Sequence, residues 1–314
     1  MTVRTLLSFV LACAVWATPQ IGVAHTRIQV QGGQRRANPQ AEMNRQLPVP
    51  VTIRSDRHTG LIVDAWINNA GPYSFAVDTG AGTTLIAGHV ASAAKIVPGR
   101  GRRTTVSGIT GAATIDGSPA SVRTLALGDA RNVVSSNQKV IISDRLPPNI
   151  DGVLDPTETF WPLGYSIDIP GRRIEAFNPL RNQVTMSEQP PGGAVVRWIT
   201  DNESRRPFVR LGDGRLALID TGSSFGLAIS NSTAASQNNG VRSEIRDISG
   251  GSISSKRTQP STVTIGSLTL HGVPTDLLFG TDRDAPILLG REVLYPMKLI
   301  FDPVHRLISI QPVS

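Results

Sequence analysis

From about Val51 to the end, the chain alternates short apolar runs with clusters of Gly, Asn, Asp and Pro. That rhythm predicts short strands joined by tight turns. Leu61–Asn68 reads as a strand, Asn69–Pro72 as a turn, and the run into Asp78 as a second strand. Phe208–Leu211, the turn Gly212–Gly214 and the run Arg215–Asp220 repeat that order. Val122–Gly128 and Val263–Leu270 also alternate like strands. Aromatics at 5%, with 30 Gly and 22 Pro, favour strands and turns over long helices, so an all-β fold with only short helices is expected.

The two predicted hairpins end in nearly the same phrase, Phe75-Ala76-Val77-Asp78-Thr79-Gly80-Ala81-Gly82 and Ala217-Leu218-Ile219-Asp220-Thr221-Gly222-Ser223-Ser224. In each, an apolar run delivers a carboxylate into a glycine turn, an unfavourable place for a charge that is not used. Two facing carboxyls can share one proton, so that one serves as base and the other as acid. Such a pair can hydrolyse peptide bonds without a metal or a covalent nucleophile.

The repetition continues. Ser107–Ala112 has a counterpart in Ile248–Ile253, where small residues at a hairpin tip permit close approach to a ligand. Gly108, Ile109, Thr110 and Gly111 in one half, with Gly250 and Gly251 in the other, are therefore flap candidates. Ile167–Ile174 and Ile300–Leu307 close the halves alike. The acids are 220 − 78 = 142 residues apart and the prolines of the closing segments 303 − 170 = 133, so the repeat is imperfect. A Pro-Gly stretch, Gln189–Gly193, marks the expected boundary between a lobe over residues 51–188 and one over 189–314.

Residues 1–24 combine Arg4, an apolar run and small residues at Gly22 and Ala24. They predict a secretory signal cut after Ala24, with Ala17 as a second position, and an exported protein of the periplasm or the extracellular space. The run falls short of the ~20 residues that a bilayer span needs, which disfavours an N-terminal anchor. Residues 25–50 are polar and aperiodic, a flexible leader or pro-segment. The one cysteine, Cys13, lies inside the signal, so the mature chain would have neither a disulfide nor a thiol nucleophile. The net charge of +7 is not interleaved with aromatics, as nucleic-acid binding would want. His25, His58, His89, His271 and His305 are scattered without ligand spacing, and no metal site is expected.

These features resemble the pepsin and retropepsin group of aspartic proteases. The resemblance rests on both Asp-Thr-Gly phrases, the paired strands before them, the glycine-rich flap candidates and Leu288-Leu289-Gly290 followed by Arg291. It implies a two-lobed all-β fold with pseudo-two-fold-related, retropepsin-like lobes. It further implies an endopeptidase in which Asp78 and Asp220 activate a water, with no cofactor and a peptide or protein as substrate. Thr79, Gly80, Ala81, Thr221, Gly222 and Ser223 would support the pair. Both acids come from one chain, so a monomer suffices. Ser223 after the second phrase, against Ala81 after the first, suggests a hydroxyl donated to Asp220 and hence Asp220 as the anion. Two residues depart from the family pattern. Asp155 ends Asp151-Gly152-Val153-Leu154-Asp155 where glycine is usual, and no Tyr lies in a flap candidate. A catalytically silent relative that binds peptides is the alternative.

Overall fold

The computed structural model describes residues 9–10, 13–14, 46–56, 60–99, 103–108, 114–143, 145–200, 205–230, 243–247, 252–281 and 285–313. The fold is all-β and two-lobed, with three short helices among the described residues, Gly88–Ala93, Pro156–Phe160 and Arg291–Leu294. One lobe is built on a nine-stranded sheet drawn mainly from residues 54–154, the other on an eight-stranded sheet drawn mainly from residues 208–289.

A third, six-stranded antiparallel sheet takes three strands from each half. Its order is Ala194–Arg197, Leu307–Pro312, Met297–Asp302, Gly164–Asp168, Arg173–Phe177, Val51–Thr52. The halves meet where Gly164–Asp168 pairs with Met297–Asp302, in the register Tyr165↔Phe301, Ser166↔Ile300 and Ile167↔Leu299. The closing hairpins pair Asp168 with Arg173 and Asp302 with Leu307, which aligns Asp168 with Asp302, 302 − 168 = 134 residues apart. The repeat offset here is therefore one more than the prolines imply. Behind this seam Tyr165 stacks on Phe301, with ring centroids 4.7 Å apart, and Trp198 meets Phe301 edge-on at 5.8 Å. All three are buried, and stacked aromatics of this size anchor a core strongly.

Each lobe repeats one motif around its acid. A hairpin, Gly60–Ile67 with Ala70–Val77 or Phe208–Arg210 with Leu216–Ile219, leads to the Asp. A short apolar strand then lies parallel to the acid-bearing one: Gly152–Leu154 beside Phe75–Val77, and Ile287–Leu289 beside Ala217–Ile219. These central strands are covered on both faces, so they are continuously apolar rather than alternating.

Two turns differ from expectation. The first hairpin turns at Asn68-Asn69, both in left-handed backbone (φ 51° and 69°), and its second strand already begins at Ala70. Two consecutive left-handed residues match the twist of the flanking strands, so Gly71 and Pro72 fall inside the strand. Val263–Leu270 is likewise not one strand. Gly266 (φ 60°) reverses the chain, and Ile265 pairs with Leu268.

Candidate active site

Asp78 and Asp220 both leave the central strands of their lobes with their backbone held. Asp78 N–H donates to Leu154 O at 3.0 Å, and Asp220 N–H to Leu289 O at 2.9 Å. Both side chains are fully buried. The threonines that follow lock the lobes reciprocally. Thr79 N–H donates to Thr221 Oγ1 (3.1 Å) and Thr221 N–H to Thr79 Oγ1 (3.0 Å), while the hydroxyls donate onward to Ile219 O (2.6 Å) and Val77 O (2.9 Å). Two of these four buried hydrogen bonds join the turns to each other, and two join each turn to the strand carrying the other acid.

The glycines differ in what they do. Gly80 N–H donates to Asp78 Oδ1 at 2.8 Å, and a Cβ on Gly80 would sit 2.9 Å from the Asp220 carboxyl carbon, so a side chain there would push the acids apart. On the other side Asp220 Oδ1 accepts two N–H groups, from Gly222 (2.9 Å) and Ser223 (3.0 Å). The remaining oxygens, Asp78 Oδ2 and Asp220 Oδ2, are buried and take no donor from the other described residues. The two carboxyls interact directly, a contact that one shared proton turns into a hydrogen bond.

Burial, and next the charge of Asp220, push the Asp78 carboxyl well above the usual carboxylate range. Burial also raises Asp220, to about 6, but the hydrogen bond with Asp78, the Ser223 N–H, the Arg291 guanidinium and the Gly222 N–H all act against it. The proton therefore belongs to Asp78 and the charge to Asp220. The expected cause is corrected. Ser223 acts through its N–H, while its hydroxyl oxygen accepts from Phe225 N–H at 3.4 Å.

Arg291 is the residue whose role the sequence did not reveal. It is 8% exposed, and its Nη1 donates to Thr221 O (3.0 Å) and Gly222 O (2.8 Å), a cation beneath the second turn. Its place directly after Leu288-Leu289-Gly290 was the available signal. Among the flap candidates, Gly108 ends the strand Thr104–Gly108, which pairs with Thr114–Gly117. Ile109, Thr110, Gly111, Gly250 and Gly251 lie outside the described residues. The second hairpin is present as Ser243–Arg246 paired with Ser252–Ser255.

Residues 63–155 match a family model described as aspartyl protease. The matched segment lies within the first lobe, and the fold of the whole is that of an aspartic proteinase. Among solved structures it is similar to the aspartic proteinase from Irpex lacteus, with a TM-score of 0.57 and 14% identity over 85% of this chain and 97% of that one. No curated protein matches. The aspartic-protease family segment includes Asp78 and Thr79–Ala81 and ends at Asp155.

Proposed function

We propose that this chain is an exported aspartic endopeptidase whose dyad is Asp78 and Asp220. The observation that carries the reading is the reciprocal Thr79–Thr221 lock, which brings two fully buried carboxyls together with their outer oxygens left to each other. Asp220, the anion, takes a proton from a water as it attacks the scissile carbonyl. Asp78 gives its proton to the developing oxyanion, and a proton later passes to the leaving nitrogen. Neither step needs a metal or an organic cofactor.

The substrate would be an extended peptide lying along the two hairpins, pairing with their backbone. Two short strands of the chain support this docking mode. Phe9–Val10 runs parallel to Arg246–Asp247, and Cys13–Ala14 runs antiparallel to Ser107–Gly108, so each hairpin already accepts an added strand. Export rests on the Arg4-led apolar run of the first 24 residues.

The test is cleavage of a peptide library by the mature protein from acidic to neutral pH, beside Asp78→Asn and Asp220→Asn. Each substitution alone is expected to lower kcat/KM at least about a thousandfold, because the two acids act as a unit. A wild type that cuts nothing, or an Asn variant with full activity, overturns the reading and leaves a silent peptide-binding relative in its place.

A further inference from the structure

Asp155 is a third buried carboxylate beside the dyad, and the scheme above does not use it. It is 2% exposed and follows directly on Leu154, whose carbonyl holds the Asp78 N–H. In the second lobe the residue after Leu289 is Gly290, and both begin a short helix. A Cβ on Gly290 would lie 2.4 Å from Phe225 O and 2.9 Å from both Ser223 O and Oγ, so nothing larger fits. The first lobe differs in two ways that make room. Ala81 lacks the hydroxyl of Ser223, and the path from acid to next strand is shorter, 84 − 78 = 6 residues against 227 − 220 = 7.

The substitution also divides charge across the pair. One residue further on stand Pro156 in the first lobe and Arg291 in the second. The cation is thus on the side of Asp220, and the extra acid on the side of Asp78. Capping the helix Pro156–Phe160 is a role that an uncharged Asn fills as well as Asp. Asp155 does accept from Thr157 N–H (2.9 Å) and Glu158 N–H (3.3 Å), but the second-lobe helix starts at Gly290 with no side-chain cap.

We infer, on the protease reading above, that Asp155 is a positioning residue of the dyad: its buried carboxyl keeps the shared proton on Asp78 and extends the working range toward neutral pH. The ionisable groups facing it are Asp78 at the end of its strand, Glu158 on the helix, Arg205 paired with Glu158 at 2.9 Å, and Tyr165, whose hydroxyl meets Thr157 Oγ1 at 2.8 Å. Thr84 Oγ1 accepts from Asp155 N–H, and Gln138 Nε2 donates to Thr84 and Thr159; these neighbours carry no charge. Burial, and next the charge of Glu158, raise Asp155 to about 7. It is neutral in acid and becomes an anion on passing neutrality, where a second negative charge on Asp78 becomes harder to form. The pair therefore keeps its one proton to higher pH than it would with a neutral residue at 155.

The test compares wild type, Asp155→Asn and Asp155→Gly by the pH dependence of kcat/KM on one cleaved peptide, and by the 13C titration of labelled Asp carboxyls. Asn keeps the size and the cap acceptor and removes only the charge, whereas Gly restores the second-lobe residue. In both variants the basic limb and the Asp78 carbon titration are expected to move to lower pH by about half to one unit, with KM little changed. A uniform loss of activity in the Gly variant, with both readouts unmoved in the Asn variant, means a packing role only and overturns the inference. Should the wild type cleave nothing, the protease reading alone falls, and the Asp78 titration in Asp155→Asn still decides the coupling.

Discussion

The two lobes share a backbone around their acids and differ in the side chains set upon it. Thr79 and Thr221 exchange equivalent hydrogen bonds, and Leu154 O and Leu289 O receive equivalent N–H groups. Yet the first lobe carries Ala81, Asp155 and Pro156 where the second carries Ser223, Gly290 and Arg291. Symmetry of the backbone brings two identical groups together; asymmetry of the neighbours gives them different proton affinities. A duplicated chain can separate acid from base in this way without moving the acids.

The largest expected effect on stability probes the symmetric part. Thr79→Val and Thr221→Val are close in shape, but each removes a buried acceptor and a buried donor at once, leaving an N–H and a carbonyl of the opposite lobe unpaired. At about 1–3 kcal/mol per orphaned group, each variant should lose roughly 2–6 kcal/mol in denaturant unfolding. The two losses should agree within about 1 kcal/mol, because the two hydroxyls make equivalent but separate pairs of bonds. Losses that differ by more would show the lock to be one-sided.

Next comes a probe of the asymmetric part. Asp155 has a folded-state pKa of about 7, raised from an unfolded value of about 3.9, so the native state holds its proton more tightly. Its contribution to stability is intact below pH ~4 and is lost as pH rises toward 7. Asp155→Asn removes that loss. The variant should match wild type within about 1 kcal/mol at pH 4 and exceed it by roughly 2–4 kcal/mol at pH 8 in thermal unfolding. A stability difference that does not change with pH would mean that Asp155 does not titrate in this window.

What could be read in the sequence was local. The Asp-Thr-Gly phrases, the apolar strands leading into them and the Gly212–Gly214 turn each declare themselves within a few residues. The Asn68-Asn69 turn was masked by Gly71-Pro72, a stronger turn signal two residues later. Neither position marks left-handed backbone: Gly290 has φ −102° and Asp155 φ −82°, ordinary extended values. What excludes a side chain there is Phe225 O and Ser223, a matter of tertiary room that no short window contains. Arg291 reaches back to the turn at Thr221–Gly222, seventy positions away in the chain from Thr221, which is equally invisible to periodicity.

The smallest expected effect tests whether the symmetry extends away from the site. Arg172 and Arg306 occupy the same place in the two closing turns, each exposed and each in left-handed backbone, with φ 52° and 54°. A side chain in that conformation costs about 1 kcal/mol. Glycine relieves this but gives the unfolded chain more freedom, worth about 0.4–1 kcal/mol in the opposite direction. Arg172→Gly and Arg306→Gly should therefore each change stability by less than about 0.5 kcal/mol, with the same sign. The turns are not identical in their bonding. Asp168 Oδ1 accepts one N–H, from Gly171, whereas Asp302 Oδ1 accepts two, from Val304 and His305, and its Oδ2 meets His305 Nδ1 at 2.8 Å. If that extra bonding fixes the second turn more rigidly, glycine will be tolerated better at 306 than at 172. Equal responses would instead show that the left-handed residue, and not its hydrogen-bonded neighbours, sets the turn in both halves.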